Sequence, residues 1–321
     1  MILDRLDLKN TLEKLKELRV KLVGVQLPDG LKYWTQEIVK KIEKEGYTVI
    51  VSGKPSYGSC DLDTSLIEVV DVLLHFAHPP VLKHENVVYV DYSIEYNVPK
   101  LVDIVFKYLP ESVSLIATSP YVKKLEDVRY ELEKKGIDTY IKKGGRTGID
   151  GLVLGCNFKA VDKNAKSILF IGDGSFHPKG AAIYTQKEVY AISPLEGKVR
   201  MFGKKDIEKF LKNRYSLIGK AMDSKKFCVA VSSKPGQKRF KLALNIYRKL
   251  KKRYCTTLIY FDEFMPENFS CDCFVNTACP RIAYDDWKKF RKPIITPQEV
   301  EILLKERDWN DYIMDEIDEI N

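Results

Sequence analysis

The chain repeats one arrangement of apolar runs three times, and this repeat constrains the fold more than any other feature of the sequence. Each block opens with a short run of strand-forming residues and continues with a helical stretch. The opening runs are residues 22–30, 112–120 and 226–237, and the helical stretches are 31–46, 122–136 and 238–253. Continuous apolar strands that alternate with helices are typical of parallel sheets covered on both faces. The sequence therefore predicts an α/β fold of three similar domains, each a small parallel sheet flanked by helices.

Each block then carries three further apolar runs, which we interpret as the remaining strands. They are residues 48–53, 69–78 and 86–93 in the first block, 137–143, 151–156 and 167–174 in the second, and 256–264, 271–279 and 292–297 in the third. A length of 321 residues suits two or three domains. We place the domains at residues 1–108, 109–218 and 219–321.

The composition predicts a soluble cytoplasmic protein. Hydrophobic residues make up 45% of the chain and charged residues 31%, a balance typical of globular proteins. No apolar run approaches the roughly 20 residues that cross a bilayer, and the N-terminal stretch lacks a signal-peptide core. In the cytoplasm, seven scattered cysteines indicate metal ligands or core residues rather than disulfides.

The net charge of +8 leaves two readings open. Lysines spread along helical stretches indicate a solvated surface, and we find neither an RNA-binding signature nor zinc-finger spacing. We therefore expect no direct binding of nucleic acid. The alternative is a non-catalytic basic α/β protein that binds RNA or a ribosomal partner, with every cysteine buried. A zinc hydrolase is poorly supported, because the chain has no HExxH motif and no paired Cys/His spacing.

Three cysteines, one in each block, follow predicted strands. They are Cys60, Cys156 and Cys279. Function gathers at the carboxyl ends of strands in open parallel sheets, so these sulfurs can converge if the blocks pack around a common centre. Cys60 follows the second apolar run of its block, whereas Cys156 and Cys279 follow the third. The repeat is therefore not expected to be exact at these positions.

The other four cysteines have different predicted positions. Cys228 lies inside an apolar run and reads as a core residue. Cys255 opens its strand, at the opposite edge from the proposed site. Cys271 and Cys273 also lie at the amino end of a predicted strand, whose length would separate Cys273 from Cys279 by about 20 Å. We interpret all four as bystanders.

Three thiolates suit an iron–sulfur cluster better than zinc. A structural zinc site needs four closed ligands. A [4Fe–4S] cluster held by three cysteines leaves one iron open to a substrate. The closely spaced CxxxCxxC motif of radical enzymes is absent, so such a cluster would belong to a different fold.

Five segments carry a resemblance to a known family. They are QLPDGL (26–31), SYGSCDLD (56–63), GLVLGCN (151–157), IGDGSFHPKG (171–180) and NTACPRIAYDD (276–286). In this order and spacing they resemble the diphthamide synthase family, which makes 2-(3-amino-3-carboxypropyl)histidine, in its archaeal homodimeric form. The resemblance spans essentially the whole chain.

The resemblance implies a specific enzyme. Three homologous domains arranged around a central [4Fe–4S] cluster would hold it through Cys60, Cys156 and Cys279. The enzyme would be a non-classical radical transferase that moves the 3-amino-3-carboxypropyl group of S-adenosylmethionine to C2 of a histidine imidazole in translation elongation factor 2. That reaction is the first step of diphthamide biosynthesis. The family also implies a homodimer and an electron donor.

Glycine-bearing loops at strand ends are candidates for holding S-adenosylmethionine. The candidate residues are Gly30, Gly172, Gly174, His177 and Gln237. Ordinary turn chemistry accounts for any single glycine equally well. His75 and His78 close an apolar run without a carboxylate cluster nearby, so we interpret them as structural. The sequence identifies no catalytic side chain.

Overall fold

The computed structural model describes residues 2–318 and contains three β-sheets. The first sheet comprises β1 (Leu22–Gln26), β2 (Thr48–Val51), β3 (Val72–Phe76) and β4 (Val87–Val90), accompanied by helices α1 (Leu8–Leu18), α2 (Thr35–Glu43) and α3 (Thr64–Ile67). All four strands are parallel, in the order β2-β1-β3-β4. Every residue of β3 is buried, as expected for a central parallel strand.

The second sheet has five strands. It comprises β5 (Ser112–Ala117), β6 (Asp138–Tyr140), β7 (Ser167–Ile171), β8 (Val189–Ser193) and β9 (Lys198–Phe202), with helices α4 (Val98–Val105), α5 (Leu125–Glu133) and α6 (Phe176–Thr185). Its order is β6-β5-β7-β8-β9, and only the last pair, β8 with β9, is antiparallel. The central strands β5 and β7 are buried throughout.

The third sheet again has four parallel strands. The elements in this part of the chain are α7 (Lys204–Met222), β10 (Lys226–Ser232), α8 (Phe240–Leu250), β11 (Cys255–Phe261), β12 (Cys273–Asn276), α9 (Pro280–Tyr284), β13 (Ile294–Ile295) and α10 (Pro297–Leu303). The strand order is β11-β10-β12-β13. At the start of α10, Glu299 Oε2 accepts from the Thr296 N–H at 2.8 Å, which satisfies one free backbone donor of the helix.

One topology recurs in all three sheets. The second strand pairs with the first, the first with the third, and the third with the fourth. The first strand leads in each case into a short 3-10 turn and then a helix; these turns span residues 29–34, 119–124 and 235–237. The predicted α/β fold of three similar parallel sheets is therefore confirmed.

The second block differs from the prediction at one strand. Residues 151–156 form turns and isolated bridges rather than a strand. Gly151 has a φ of 70°, a left-handed conformation that no strand residue adopts. The third strand of this sheet is β7, and β8 was not predicted at all. Consequently Cys156 follows the second strand of its sheet, as Cys60 does, and only Cys279 follows a third.

The described residues group into two compact units. The first unit contains the first sheet and runs to Glu95, with residues 119–123 and 234–236 added. Its core includes Val25, Ile38 and Phe76. The second unit contains the second and third sheets, which share one hydrophobic core that includes Phe170 and Phe274. The domain boundaries near residues 108 and 218 stay a prediction.

No helix among residues 2–318 combines the length and the apolar character that a membrane span requires.

Candidate functional site

In the first unit, the amide of Gln26 fixes the loop that carries Cys60. Cys60 is half-buried and lies between β2 and α3. Gln26 ends β1 and is buried; its Nε2 donates to the Asp61 carbonyl at 2.7 Å, and its Oε1 accepts from the Asp63 N–H at 3.1 Å. One side chain therefore holds the backbone just after Cys60 against the sheet.

Two histidines form a hydrogen-bonded chain that ends on the Gln26 side-chain oxygen. His75 Nδ1 lies 2.9 Å from Gln26 Oε1, and His75 Nε2 lies 2.9 Å from His78 Nδ1. Because an amide oxygen only accepts, Nδ1 of neutral His75 carries the hydrogen and Nε2 accepts from His78. Burial lowers the pKa of His75 to about 3 and that of His78 to about 4. Both rings are therefore neutral at physiological pH.

Asp63 closes the Cys60 loop through several charge-assisted hydrogen bonds. Its carboxylate accepts from Ser52 Oγ and Ser65 Oγ, each at 2.7 Å, and from Lys54 Nζ at 3.0 Å. It also caps α3 by accepting from the Leu66 N–H at 3.2 Å. Burial alone would raise the pKa of Asp63, but these donors outweigh it and lower the pKa to about 2. The aspartate is a charged anchor of the loop.

Residues 234–236, from the third block of the sequence, also contact the Cys60 loop within this unit. Lys234 Nζ donates to Asp61 Oδ2 at 3.1 Å, and both side chains are buried. The Gly236 N–H donates to the Cys60 carbonyl at 3.0 Å. A Cβ on Gly236 would lie 2.2 Å from the Cys60 Cα, so only glycine permits this approach.

In the second unit, Cys156 lies beside an arginine. Arg146 Nη1 is 3.4 Å from the Cys156 Sγ. Burial raises the pKa of the Cys156 thiol, and the positive charges of Arg146 and Arg239 partly offset this. On the other side, Phe176 of α6 packs against Gly155, where a Cβ would meet its ring at 2.4 Å. The loop is therefore confined by both the arginine and the aromatic ring.

Cys279 precedes α9, and its backbone is held on both sides. Asn276 Nδ2 donates to the Cys279 carbonyl at 2.8 Å, while Asn276 Oδ1 accepts from the Ala278 N–H at 3.1 Å. Arg281, two residues later, lies over the Phe176 ring at 4.3 Å, a cation–π contact. Phe176 thus touches both the Cys156 loop and the turn that follows Cys279.

The five candidate residues for S-adenosylmethionine lie in different surroundings. Gly172, Gly174 and His177 lie where β7 leads into α6, next to Phe176. The His177 ring stacks on Phe170, and burial lowers its pKa to about 4. Gly30 is exposed in a 3-10 turn with open space around its Cα. Gln237 is buried in the 3-10 turn before α8. Their role in binding stays a prediction.

The remaining cysteines include one pair that the sequence analysis excluded. Cys228 and Cys271 are joined as a disulfide between β10 and the segment before β12. The expectation that the chain forms no disulfide is therefore wrong in this structure; the Cα atoms of the two residues, 43 positions apart in the chain, lie 5.9 Å from each other. Cys273 is fully buried, which raises the pKa of its thiol well above the ordinary value. Cys255 is exposed at the start of β11.

The three strand-end cysteines carry the donor group of iron–sulfur ligands, a thiolate. Within residues 2–318, no group of three or more His, Cys, Asp or Glu side chains is placed to hold a metal ion. Cys60, Cys156 and Cys279 form no disulfide, and each is half-buried on a loop with an anchored backbone. These residues therefore fit an iron–sulfur group.

Comparison with known proteins decides the family. Residues 27–313 match the family model described as "Putative diphthamide synthesis protein", which is most of the chain. The chain belongs to the diphthamide synthesis family. This confirms the resemblance seen in the five sequence segments.

Family members of known name agree with this membership. The chain is 34% identical to the 2-(3-amino-3-carboxypropyl)histidine synthase of Pyrococcus horikoshii, over 95% of this chain and 92% of that protein. It is 28% identical to the synthase of Methanocaldococcus jannaschii, over 87% and 83%. A crystal structure of Dph2 from Pyrococcus horikoshii with a 4Fe-4S cluster superimposes with a TM-score of 0.89 at 34% identity, covering 96% of this chain and 93% of that one. The expectation of an enzyme, a transferase, is confirmed.

The structure places Cys60, Cys156 and Cys279 in loops after strands, as predicted, and their role as ligands stays a prediction. The side chains that hold these loops were not predicted. Gln26 belongs to a quoted family segment, yet nothing local to it predicts a contact with residues 61–63. Arg146 lies in a Gly-Gly-Arg-Thr-Gly stretch, where an arginine among glycines was the available signal. Arg239 and the acidic C-terminal segment carry no signal, because their partners are distant in sequence.

Proposed function

We propose that this chain transfers the 3-amino-3-carboxypropyl group of S-adenosylmethionine to C2 of a histidine imidazole in translation elongation factor 2. The reaction is the first step of diphthamide biosynthesis. Family membership over most of the chain supports the proposal, and so do relatives that bear the name of this synthase. The observation that carries it is the set of loops around Cys60, Cys156 and Cys279, each with an anchored backbone and a thiol that forms no disulfide.

In this proposal the three cysteines hold one [4Fe–4S] cluster. A relative of the same fold contains such a cluster, and the donor chemistry of this chain fits one. When bound and reduced, such a cluster would supply the one electron needed to cleave the sulfonium bond to the γ-carbon of S-adenosylmethionine, with methylthioadenosine as the leaving product. Three protein ligands leave one iron open to substrate.

The other residues act by position and charge. Gln26 and Asp63 fix the Cys60 loop, and Arg146 brings a positive charge and an N–H donor to the Cys156 sulfur. Gly172, Gly174, His177, Gly30 and Gln237 are the candidates for contacts with S-adenosylmethionine. Orienting this molecule decides which sulfonium bond breaks, because the protein positions the reactive atoms.

The decisive experiment is anaerobic purification followed by cysteine replacement. The wild-type chain should contain close to one four-iron cluster per protomer after reconstitution, measured as iron and acid-labile sulfide. Cys60→Ala, Cys156→Ala and Cys279→Ala should each lose it. Cys255→Ala and Cys273→Ala are the matched controls and should keep it. A colourless wild-type protein without iron would refute the proposal, and would favour a non-catalytic basic protein that binds RNA or a ribosomal partner.

The products of reduction test the chemistry separately from the cluster. Dithionite added anaerobically with S-adenosylmethionine, but without the acceptor protein, should release methylthioadenosine. Chromatography that found mainly 5′-deoxyadenosine would contradict the bond cleavage and leave the ligand set standing.

The assembly and setting of the enzyme also belong to the proposal. We propose a cytoplasmic homodimer that receives electrons from a separate donor protein. Light scattering at micromolar concentration tests the dimer, and a monomer there would refute that part alone.

A further inference from the structure

The C-terminal segment lies across the two cysteine loops of the second unit. We call residues 314–318 the C-terminal clamp. The Ile317 N–H donates to the Cys156 carbonyl at 2.8 Å, and Glu316 Oε1 accepts from the Phe158 N–H at 2.6 Å. Asn157 Nδ2 donates to Asp318 Oδ1 at 2.7 Å and to the Ile317 carbonyl at 3.3 Å. The clamp therefore contacts three consecutive residues that begin at Cys156.

The same clamp reaches the Cys279 loop through Arg239. The Arg239 guanidinium binds the Asp315 carboxylate through two parallel hydrogen bonds of 2.8 and 2.6 Å. It also donates to the carbonyls of Thr277 at 2.7 Å and Ala278 at 3.1 Å, the two residues before Cys279. Asp315 is held from its other side, because its N–H donates to Tyr284 Oη at 2.6 Å.

Arg239 has no donor left for a substrate. A guanidinium has five N–H donors, and the fifth binds the Glu316 carbonyl at 3.2 Å. Arg239 is 7% exposed and Asp315 2% exposed, so the pair is desolvated and its geometry is fixed. A carboxylate of an incoming molecule would have to break one of these bonds. The arginine therefore positions protein groups and does not bind substrate.

We infer that the C-terminal clamp, with Asp315 acting through Arg239, is a positioning element that sets the places of the Cys156 and Cys279 sulfurs for the cluster. The inference rests on the proposed function, since that proposal makes the two cysteines ligands. A cysteine ligand is useful only when its Cα is held, because its sulfur is one rotatable bond further. The clamp holds the main chain at or next to both residues.

A second buried ion pair in the same unit provides a matched control. Arg214 binds Glu299 through bonds of 2.7 and 2.6 Å, and both side chains are at most 1% exposed. Arg214 also donates to two main-chain carbonyls, those of Ala283 and Ile294. The two pairs match in chemistry and burial, but the Arg214 pair makes no bond to a residue adjacent to Cys156 or Cys279.

The test replaces each pair by apolar residues, because removing one partner alone would leave a buried unpaired charge. The variants are Arg239→Met with Asp315→Leu, and Arg214→Met with Glu299→Leu. The first readout is the rate at which an iron chelator removes the reconstituted cluster anaerobically. The second is the alkylation rate of each cysteine in the folded iron-free chain, resolved by mass spectrometry.

We expect the Arg239/Asp315 double variant to lose its cluster at least tenfold faster than wild type. Alkylation of Cys156 and Cys279 should accelerate at least threefold, with Cys60 and Cys255 unchanged. The Arg214/Glu299 double variant should stay within twofold of wild type in both readouts. A folded Arg239/Asp315 double variant with wild-type rates would overturn the inference, and so would equal effects of the two double variants.

Two further outcomes keep the result clear. If the Arg239/Asp315 double variant does not fold, Glu316→Ala removes one bond to the Cys156 loop from a partly exposed side chain; an unchanged alkylation rate of Cys156 there would overturn the inference. If wild type takes up no cluster, the proposed function fails. The alkylation rates of the iron-free chain still decide whether the clamp positions the two cysteines.

Discussion

Mild acid should destabilise the first unit, because folding buries two neutral histidines there. Burial lowers the pKa of His75 to about 3 and that of His78 to about 4, from the ordinary value of 6.5. Since both folded pKa values lie below the unfolded one, the unfolded chain takes up the protons first as the pH falls. The free energy of unfolding is therefore largest above pH 6.5 and decreases below it.

The size of the decrease follows from proton linkage. At pH 5 the unfolded form of each ring is protonated about thirtyfold over neutral, while the folded ring stays mostly neutral, which corresponds to about 2 kcal/mol per ring. This value hardly depends on the folded pKa as long as that lies well below 5. His75 is fully buried and counts in full, whereas His78 is partly exposed and counts for less. We expect a total decrease of about 3 kcal/mol between pH 7.5 and pH 5.

The assay needs a signal from the first unit alone. Trp34 lies in that unit, while Trp287 and Trp309 lie in the second. In a Trp287→Phe, Trp309→Phe background, urea unfolding of the iron-free chain followed by tryptophan fluorescence therefore reports the first unit. His75→Gln should remove about 2 kcal/mol of the decrease. His84→Gln, at an exposed ring, is the control and should keep it.

The pH dependence, and not the absolute stability, decides the outcome. His75→Gln also breaks the hydrogen bond to Gln26 and lowers the stability at every pH. A free energy of unfolding that stays flat between pH 7.5 and pH 5 in the parent would refute the assignment of buried neutral rings. An equal decrease in the parent and in His75→Gln would refute it as well.

Three further predictions concern single residues around the cysteine loops. Gly236→Ala should lower the free energy of unfolding of the first unit by about 1–3 kcal/mol, because the new Cβ meets backbone that cannot move aside. Gly30→Ala, where a Cβ meets nothing, is the control and should change the Trp34 unfolding curve by less than about 0.5 kcal/mol. Equal effects of the two variants would contradict the close contact of Gly236. Asp63→Asn should lower the free energy of unfolding by about 2 kcal/mol at pH 7. The folded pKa of about 2 lies below the ordinary 3.8, so the charged carboxylate contributes stability above pH 3.8 that is lost as the pH falls towards 2. An effect of the substitution that does not shrink in acid would contradict the lowered pKa. Arg146→Met should shift the midpoint potential of the reconstituted cluster to more negative values, because hydrogen bonds to cluster sulfurs are among the features that set this potential. The measurement is a redox titration monitored by EPR, with Lys142→Met as the control. An identical shift in both variants would refute a specific hydrogen bond from Arg146.

The repeated sheets could be predicted because burial leaves a direct trace in the sequence. Central strands such as β3 and β7 are covered on both faces and read as continuous apolar runs. The same signal misled at residues 151–156. Leu152 and Val153 are buried there, each 2% exposed, but Gly151 turns the chain and no partner strand continues the ladder. An apolar run predicts burial, and only its backbone partners make it a strand.

The positions of the three candidate cysteines could be predicted from the sequence, but the side chains that hold their loops could not. Cys60, Cys156 and Cys279 follow strands, and a strand end is local information. Arg239 gives no such clue, because its carboxylate partner lies 76 residues away in the chain and the sequence around it reads as an ordinary basic helix start. Pairings of this kind depend on the tertiary packing, which the spacing of residue types does not encode.

The three cysteines lie at equivalent edges of their sheets but not all in equivalent loops. Cys60 and Cys156 both occupy the loop between the second and third strands of their sheets, β2 to β3 and β6 to β7. The equivalent loop of the third sheet, residues 262–272, has its cysteine at the amino end of β12, where Cys271 pairs with Cys228. A sulfur there is at the amino edge of the sheet, whereas Cys279 lies in the loop after β12, at the carboxyl edge. The repeat therefore keeps a cysteine at the carboxyl edge of each sheet but not in the same loop. The edge could be predicted because each cysteine follows an apolar run, whereas the number of strands before Cys156 could not.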